Sequence, residues 1–144
     1  MFFLKDLPSP EMITGVTADI PDVDATHVLT VLEGLRRASI LLRDIEAFLR
    51  GHGLSQTQFL SLMMIVREPS RTSLSAGEIS DRLDVSKPVL SKALAALKTK
   101  DLIMLAADQS TDKREKQLCL TADGEHRFAE VLPGYFAMLG TANM

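Results

Sequence analysis

Serine and lysine side chains are concentrated at the start of one apolar-periodic segment, at Ser86, Lys87, Ser91 and Lys92. Hydroxyl and ammonium groups can donate hydrogen bonds to phosphate oxygens and base edges, so this segment could bind a nucleic acid. A second cluster follows at residues 112–116, where an arginine is suited to a narrow minor groove. The candidate DNA-binding residues are Ser86, Lys87, Pro88, Ser91, Lys92, Lys113, Arg114 and Lys116.

Each cluster also has a simpler explanation. A polar solvated face is common on any helix, and Asp112 could pair with Arg114 to shape a hairpin. Asp112 could also orient Arg114 for DNA, so the two roles are compatible. We favour DNA contact because the two clusters occur together in the pattern described next.

The elements around these residues form a helix-turn-helix pattern. Ser75 and Glu78 have the spacing of a capping box that opens a helix, with Ile79 and Leu83 facing inward. Val85 lies in the turn, Ser86 caps the next helix, and the first turn of that helix tolerates Pro88. Its predicted buried face consists of Val89, Leu90, Ala93, Leu94 and Leu97.

Two short strand candidates, 102–105 and 117–120, flank the polar stretch 108–116 and predict a β-hairpin. The fold class expected is therefore mainly α with a small β-hairpin wing, a winged helix-turn-helix. Such a fold presents its second helix to the major groove of double-stranded DNA.

A long helix is predicted from about Asp24 to Arg50, closed by Gly51-His52-Gly53. Its apolar residues cover a wide arc, which predicts burial on two sides, one of them by a second copy of the chain. The next helix opens with a capping box of Ser55 and Gln58. A last helix is predicted from Thr121 to about Leu132, with a kink or break at Pro133-Gly134.

These elements suggest three parts. Residues 1–23 hold three of the six prolines and are predicted to form an irregular N-terminal arm. Residues 24–53 and 121–144 are predicted to be dimerisation helices, and 54–120 to be the winged helix-turn-helix DNA-binding domain.

Charge supports this division, although the net charge of −3 is unusual for a DNA-binding protein. Distribution matters more than the sum. Residues 1–34 carry Lys5 against six acids, which are Asp6, Glu11, Asp19, Asp22, Asp24 and Glu33. Residues 86–116 carry seven cations against four acids; the cations are Lys87, Lys92, Lys98, Lys100, Lys113, Arg114 and Lys116.

Several classes of protein are disfavoured. The 144 residues suit one domain, and no apolar run approaches the roughly 18 residues of a membrane span. The single cysteine, Cys119, fits a reducing cytoplasm and favours a structural role over redox sensing. The three histidines lack metal-ligand spacing. The sequence contains no signature of a nucleophile–base pair or of a phosphate-binding loop, so we expect neither an enzyme nor a cofactor.

The order of motifs resembles the MarR family of winged-helix transcriptional regulators. The matching segments are Leu54-Ser55-Gln56-Thr57-Gln58-Phe59, the run from Ser86 to Leu97, Leu102-Ile103, Asp112-Lys113-Arg114, and Leu120-Thr121-Ala122-Asp123-Gly124. Two departures stand out. Lys100-Asp101 replaces the usual glycine before Leu102, and residues 104–107 lack the arginine that many members carry.

The resemblance implies a homodimeric repressor of a pseudo-palindromic operator. It also implies release of DNA when a small aromatic or apolar acid binds. The residues themselves leave one alternative from another class, a winged-helix adaptor that uses the same surface to bind a protein partner. The acidic net charge and the missing arginine favour that alternative.

Overall fold

The computed structural model describes residues 2, 4–106 and 116–144. Within these ranges the helices are α1 (Pro10–Thr17), α2 (Ala25–Gly51), α3 (Gln56–Val66), α4 (Ala76–Arg82), α5 (Lys87–Thr99) and α6 (Ala122–Gly140). The strands are β1 (Leu74–Ser75), β2 (Ile103–Leu105) and β3 (Gln117–Leu120). The mainly α fold with a small antiparallel sheet is confirmed. Two compact units are present, residues 1–45 with 138–144, and residues 46–137.

The core of the unit 46–137 is built on α3. Phe59 and Leu62 are fully buried, and α3 packs against α4, α5 and β3. The ring of Phe59 lies 5.5 Å from that of Phe128 and 4.8 Å from that of Tyr135, which fixes α6 on the same core. Aromatic pairs at these distances add to the free energy gained from burial alone.

The sheet has the order β1-β3-β2, and both pairings are antiparallel. Ile103 lies opposite Leu120, which gives the predicted hairpin stem. Strand β1 was not predicted, because two residues are too few to show an alternating pattern. It pairs Leu74 with Leu118, and both side chains are buried.

The junction between β3 and α6 explains the Leu-Thr-x-x-Gly motif. The backbone N–H of Thr121 donates to the Leu102 carbonyl at 3.0 Å, and Thr121 Oγ1 donates to the Asp101 carbonyl at 2.6 Å. A Cβ on Gly124 would lie 2.0 Å from the Leu102 carbonyl oxygen. Glycine is therefore required where α6 starts against the backbone that leads into β2.

Helix α6 corrects one prediction, since it runs through Pro133 without ending at Leu132. A proline inside a helix removes one hydrogen bond and crowds the preceding turn. Val131 and Tyr135, on either side of it, are both buried, and this packing offsets the loss. Gly134 permits close approach to Phe48, because a Cβ there would lie 2.5 Å from Phe48 Cζ.

The N-terminal segment corrects another prediction, because part of residues 1–23 forms helix α1. Ser9 Oγ caps this helix by accepting from the Met12 N–H at 3.1 Å, and Ile13 is buried. The prolines wrongly indicated an irregular segment. Pro10 lies in the first helical turn, where the N–H that proline lacks would have no partner within the helix.

Helix α2 matches the predicted long helix. In the unit 1–45 with 138–144, Ser39 Oγ donates to the Phe2 carbonyl and Arg36 Nη1 to the Leu4 carbonyl, both at 3.0 Å. Ile45 is buried, but Leu35 and Leu42 keep 46 % and 44 % of their surface exposed. A single chain therefore leaves part of the apolar surface of α2 uncovered.

Candidate nucleic-acid interface

Helix α5 is buried on one face and exposed on the other. Leu90, Ala93, Leu94 and Leu97 are buried, with Leu97 fully so. All five candidate residues of this segment, Ser86, Lys87, Pro88, Ser91 and Lys92, are exposed. The apolar anchor therefore directs both lysines and both serines away from the core.

Val89 contradicts its predicted place in the buried face, since it is 48 % exposed. Successive residues of an α-helix are turned by about 100° around its axis. Val89 falls outside the arc that Leu90, Ala93, Leu94 and Leu97 bury. An apolar side chain thus lies among the polar residues of the exposed surface.

The N-terminus of α5 suits an anion. Ser86 Oγ accepts from the Val89 N–H at 3.4 Å, and the first turn contains no acidic residue. The positive end of the helix dipole therefore lies beside the exposed Lys87. Such a terminus is a ready binding site for a phosphate group.

Helix α4 starts differently, with the predicted capping box. Ser75 Oγ accepts from the Glu78 N–H at 3.1 Å, and Glu78 Oε1 accepts from the Ser75 N–H at 3.2 Å. Arg71 also pairs with this carboxylate, and its Nη2 donates to Oε1 at 3.1 Å. The hydrogen bond from Arg71 lowers the pKa of Glu78 from its ordinary value of 4.5 to about 2.

The same cluster reaches the sheet. Ser73 Oγ donates to Gln117 Oε1 at 3.0 Å, and the Gln117 side chain also contributes to the lowered pKa of Glu78. The residues before β1 therefore connect the first helix of the helix-turn-helix to the strand that ends the hairpin. Sequence reasoning missed Arg71, because its partner lies seven residues away in a different element.

Helices α4 and α5 enclose a cleft of about 180 Å³ beside the candidate residues. The α4 residues that line the cleft are small. One of them, Ser80, contributes a hydroxyl group, and this residue was not identified from the sequence. The lining residues are Ala76, Gly77, Ser80, Lys87, Leu90, Ser91 and Leu94. Ala76 and Ser80 are four residues apart, so a shared face was readable from their spacing.

The hairpin is described only at its base. Lys116 is exposed immediately before β3. Lys113 and Arg114 lie outside the described residues, as does the predicted pairing of Asp112 with Arg114. On β2, Met104 and Leu105 are each 48 % exposed, so this strand presents apolar side chains at the surface.

Not every cation of the basic segment is available for DNA. Lys100 Nζ donates to the Gly53 carbonyl at 2.5 Å and to Gln58 Oε1 at 2.9 Å. Arg127 Nη1 donates to the His52 carbonyl at 2.9 Å. Both side chains hold the end of α2 and the start of α3, so the role of Lys100 is structural.

A thiol, a metal cluster and a membrane helix are further features that bear on function. Cys119 is half-buried and lines a cleft of about 360 Å³ with Arg71 and Glu125. Within residues 2, 4–106 and 116–144, no cluster of three or more His, Cys, Asp or Glu is placed to hold a metal ion. None of the helices in these ranges has the length and hydropathy needed to cross a membrane.

Comparison with known proteins agrees with this geometry. Residues 52–115 match the model of the MarR family. The chain is also 26 % identical over 136 residues to the HTH-type transcriptional repressor YetL of Bacillus subtilis (strain 168), covering 94 % of this chain and 80 % of that one. Over residues 52–115 the chain is therefore similar to the MarR family.

Solved structures of MarR family regulators share the fold. One from Streptomyces coelicolor, crystallised in complex with DNA, superposes with a TM-score of 0.73 at 22 % identity, covering 86 % of this chain and 78 % of that one. AbsC from the same organism gives a TM-score of 0.71 at 18 % identity, with 81 % and 78 % covered. The family match begins just after α2 and includes α3, β1, the helix-turn-helix of α4 and α5, and β2.

Proposed function

We propose that this protein is a sequence-specific DNA-binding transcriptional regulator that acts as a repressor. The observation that carries the proposal is the arrangement of α5, with a buried leucine anchor and exposed Lys87, Ser91 and Lys92 at its N-terminal half. The relative YetL is named as a repressor, and one structural neighbour was crystallised with DNA. The protein acts by binding in the cytoplasm and not by catalysing a reaction.

The DNA-binding unit is a homodimer on a pseudo-palindromic operator, with half-sites about one helical turn apart. Exposed apolar surface supports this assembly. Among the described residues, 11 of the 16 exposed large hydrophobic side chains lie in the unit 1–45 with 138–144, which is the smaller unit. Large exposed apolar patches mark surfaces that associate.

We assign the DNA-binding domain and the dimer interface to the regions that the sequence predicts. Residues 54–120 form the DNA-binding domain, and the helices within 24–53 and 121–144 supply the dimer interface. Most of α6 lies in the compact unit of the helix-turn-helix, so α2 contributes the larger share of the interface.

A small aromatic or apolar acid relieves repression. A cleft of about 490 Å³ in the unit 1–45 with 138–144 supports this part of the proposal. It combines three cations, Lys5, Arg36 and Arg43, with the apolar side chains of Phe2 and Ile40. Cations beside apolar walls are suited to a carboxylate on an apolar body.

Selection of DNA fragments by the purified protein tests the proposal. We expect enrichment of one sequence with two inverted half-sites, bound at least about a thousandfold more tightly than random duplex. Sequence-independent recovery of fragments would contradict a specific regulator.

The exposed Met104 and Leu105 favour one second candidate, the adaptor that binds a protein partner. The salt dependence of binding to random duplex DNA separates the two functions. Neutralisation of phosphates gives a steep fall in affinity with salt. An adaptor would bind random duplex weakly, with little dependence on salt.

A further inference from the structure

Val89 is an apolar residue at an exposed position of α5. It is 48 % exposed, whereas Leu90 beside it is 4 % exposed. A β-branched residue is also a poorer helix former than alanine or lysine. Neither burial nor helix stability accounts for valine at this position.

The surroundings of Val89 are polar and basic. Lys92 lies three residues on, on the neighbouring part of the helix surface, and Lys87 and Pro88 precede Val89 in the first turn. Both lysines are exposed. The valine is therefore part of the surface that the cations would hold against DNA, and it lies in the turn that enters the major groove first.

The major groove contains one apolar group, the C5-methyl of thymine. We propose that Val89 recognises thymine in the operator by packing its side chain against this methyl group. Val89 thus determines specificity at one position of each half-site, while Lys87 and Lys92 supply affinity. This inference rests on the proposed function, since it requires that α5 enters the major groove.

The test uses the operator obtained by selection and replaces thymine by uracil, which removes only the C5-methyl group. Each thymine position common to both half-sites is replaced in turn. We expect one position at which affinity of the full-length protein falls about fourfold for each half-site, the factor given by burial of one methyl-sized group. The other thymine positions should change affinity little.

Val89→Ala identifies the protein side of the contact. The variant should bind the thymine operator as weakly as the unaltered protein binds the uracil operator, and should show no further loss on the uracil operator. Val66→Ala is the matched control, since Val66 is a 38 % exposed valine at the C-terminal end of α3 and not on the recognition helix α5. It should keep the full sensitivity to uracil.

The outcomes separate the contact from the function. An operator that is bound specifically, but has no methyl-sensitive thymine in its half-sites, overturns the contact and leaves the regulator intact. The same conclusion follows if Val89→Ala retains the loss on uracil. Failure to select any sequence overturns the proposed function and the contact together.

Discussion

The lysines of α5 differ in what surrounds their ammonium groups. Lys100, which follows the helix, donates to the Gly53 carbonyl and to Gln58. Lys87 and Lys92 are exposed in the N-terminal half of α5, and the helix dipole also favours an anion beside Lys87. Position along the helix therefore separates lysines that would bind DNA from one that stabilises the fold.

Replacing Lys87 or Lys92 by alanine should make DNA binding less dependent on salt. Each phosphate contact contributes about 0.9 to the slope of log affinity against log salt, so one substitution in both subunits should lower the slope by about 1.8. Fluorescence anisotropy at several salt concentrations measures this. Lys98→Ala, at the exposed C-terminal end of α5, is the control and should leave the slope unchanged. An unchanged slope with relaxed sequence preference would instead indicate base contacts.

Asp101 occupies a conformation that favours glycine. Its φ is +59°, and the N–H groups of Asp101 and Leu102 close the end of α5 on the carbonyls of Lys98 and Leu97, each at 3.0 Å. Asp101 therefore lies at the position after a helix end where glycine is usual.

Asp101→Gly should raise the free energy of unfolding by about 0.5 to 1 kcal/mol, since it removes the strain of a left-handed L-residue. Urea denaturation of the variant measures this. Asp101→Ala should lower stability, because alanine tolerates this region less well than aspartate. Equal stability of the glycine and alanine variants would rule out backbone strain as the cause.

Among the elements, those fixed by local hydrogen bonds were predictable from sequence. The capping boxes of Ser55 with Gln58 and of Ser75 with Glu78 are both present, because partners three residues apart need only a helical turn to meet. Elements fixed by distant contacts were not. Strand β1 exists only through pairing with β3. Helix α6 continues through Pro133 because of tertiary packing.

In the candidate site too, features set by local sequence were predictable, and features set by distant contacts were not. The exposure of Ser91 and Lys92 could be inferred from the period of the leucines. The exposure of Val89 depends on where the buried arc ends, which only the packing of α5 shows. The Arg71–Glu78 pair joins two elements through a loop, and local patterns contain no signal for it.

The ion pair of Arg71 and Glu78 predicts how the start of α4 responds to acid. The pKa of Glu78 is lowered to about 2 in the folded state, from 4.5 in the unfolded chain. A lowered pKa stabilises the fold fully above about pH 4.5, and this contribution is lost as pH falls towards 2. Urea denaturation of the unaltered protein and of Glu78→Gln should therefore show a stability difference that is constant near neutral pH and shrinks between about pH 4.5 and 2.

Asp81→Asn is a control for that measurement, because Asp81 is an exposed carboxylate on the same helix. The difference in the free energy of unfolding between Asp81→Asn and the unaltered protein should not shrink between about pH 4.5 and 2. A difference for Glu78→Gln that persists unchanged to pH 2 would contradict stabilisation by the charged carboxylate.

At the scale of the whole molecule, part of the apolar surface of α2 is left exposed by the described residues of one chain. Leu35 and Leu42 are about half exposed, as are Val31 and Ile40 to similar degrees. A helix that is apolar over so wide an arc is buried on a second side in stable proteins. In a two-fold dimer the same patch would meet its own copy, so one substitution acts twice.

Leu35→Glu or Leu42→Glu should therefore dissociate the dimer without unfolding the chain. Both side chains are partly exposed in a single chain, so the carboxylate stays hydrated in the monomer and becomes buried and unpaired only in the dimer. Light scattering should give the monomer mass, while circular dichroism stays that of a folded helical protein. Specific operator binding should fail with the dimer, because one half-site offers too few contacts. Val66→Glu, on an exposed apolar position of the other unit, should keep the dimer and the gel shift. An unaltered protein that is monomeric and still binds one half-site tightly would refute the dimer and place all recognition within a single chain.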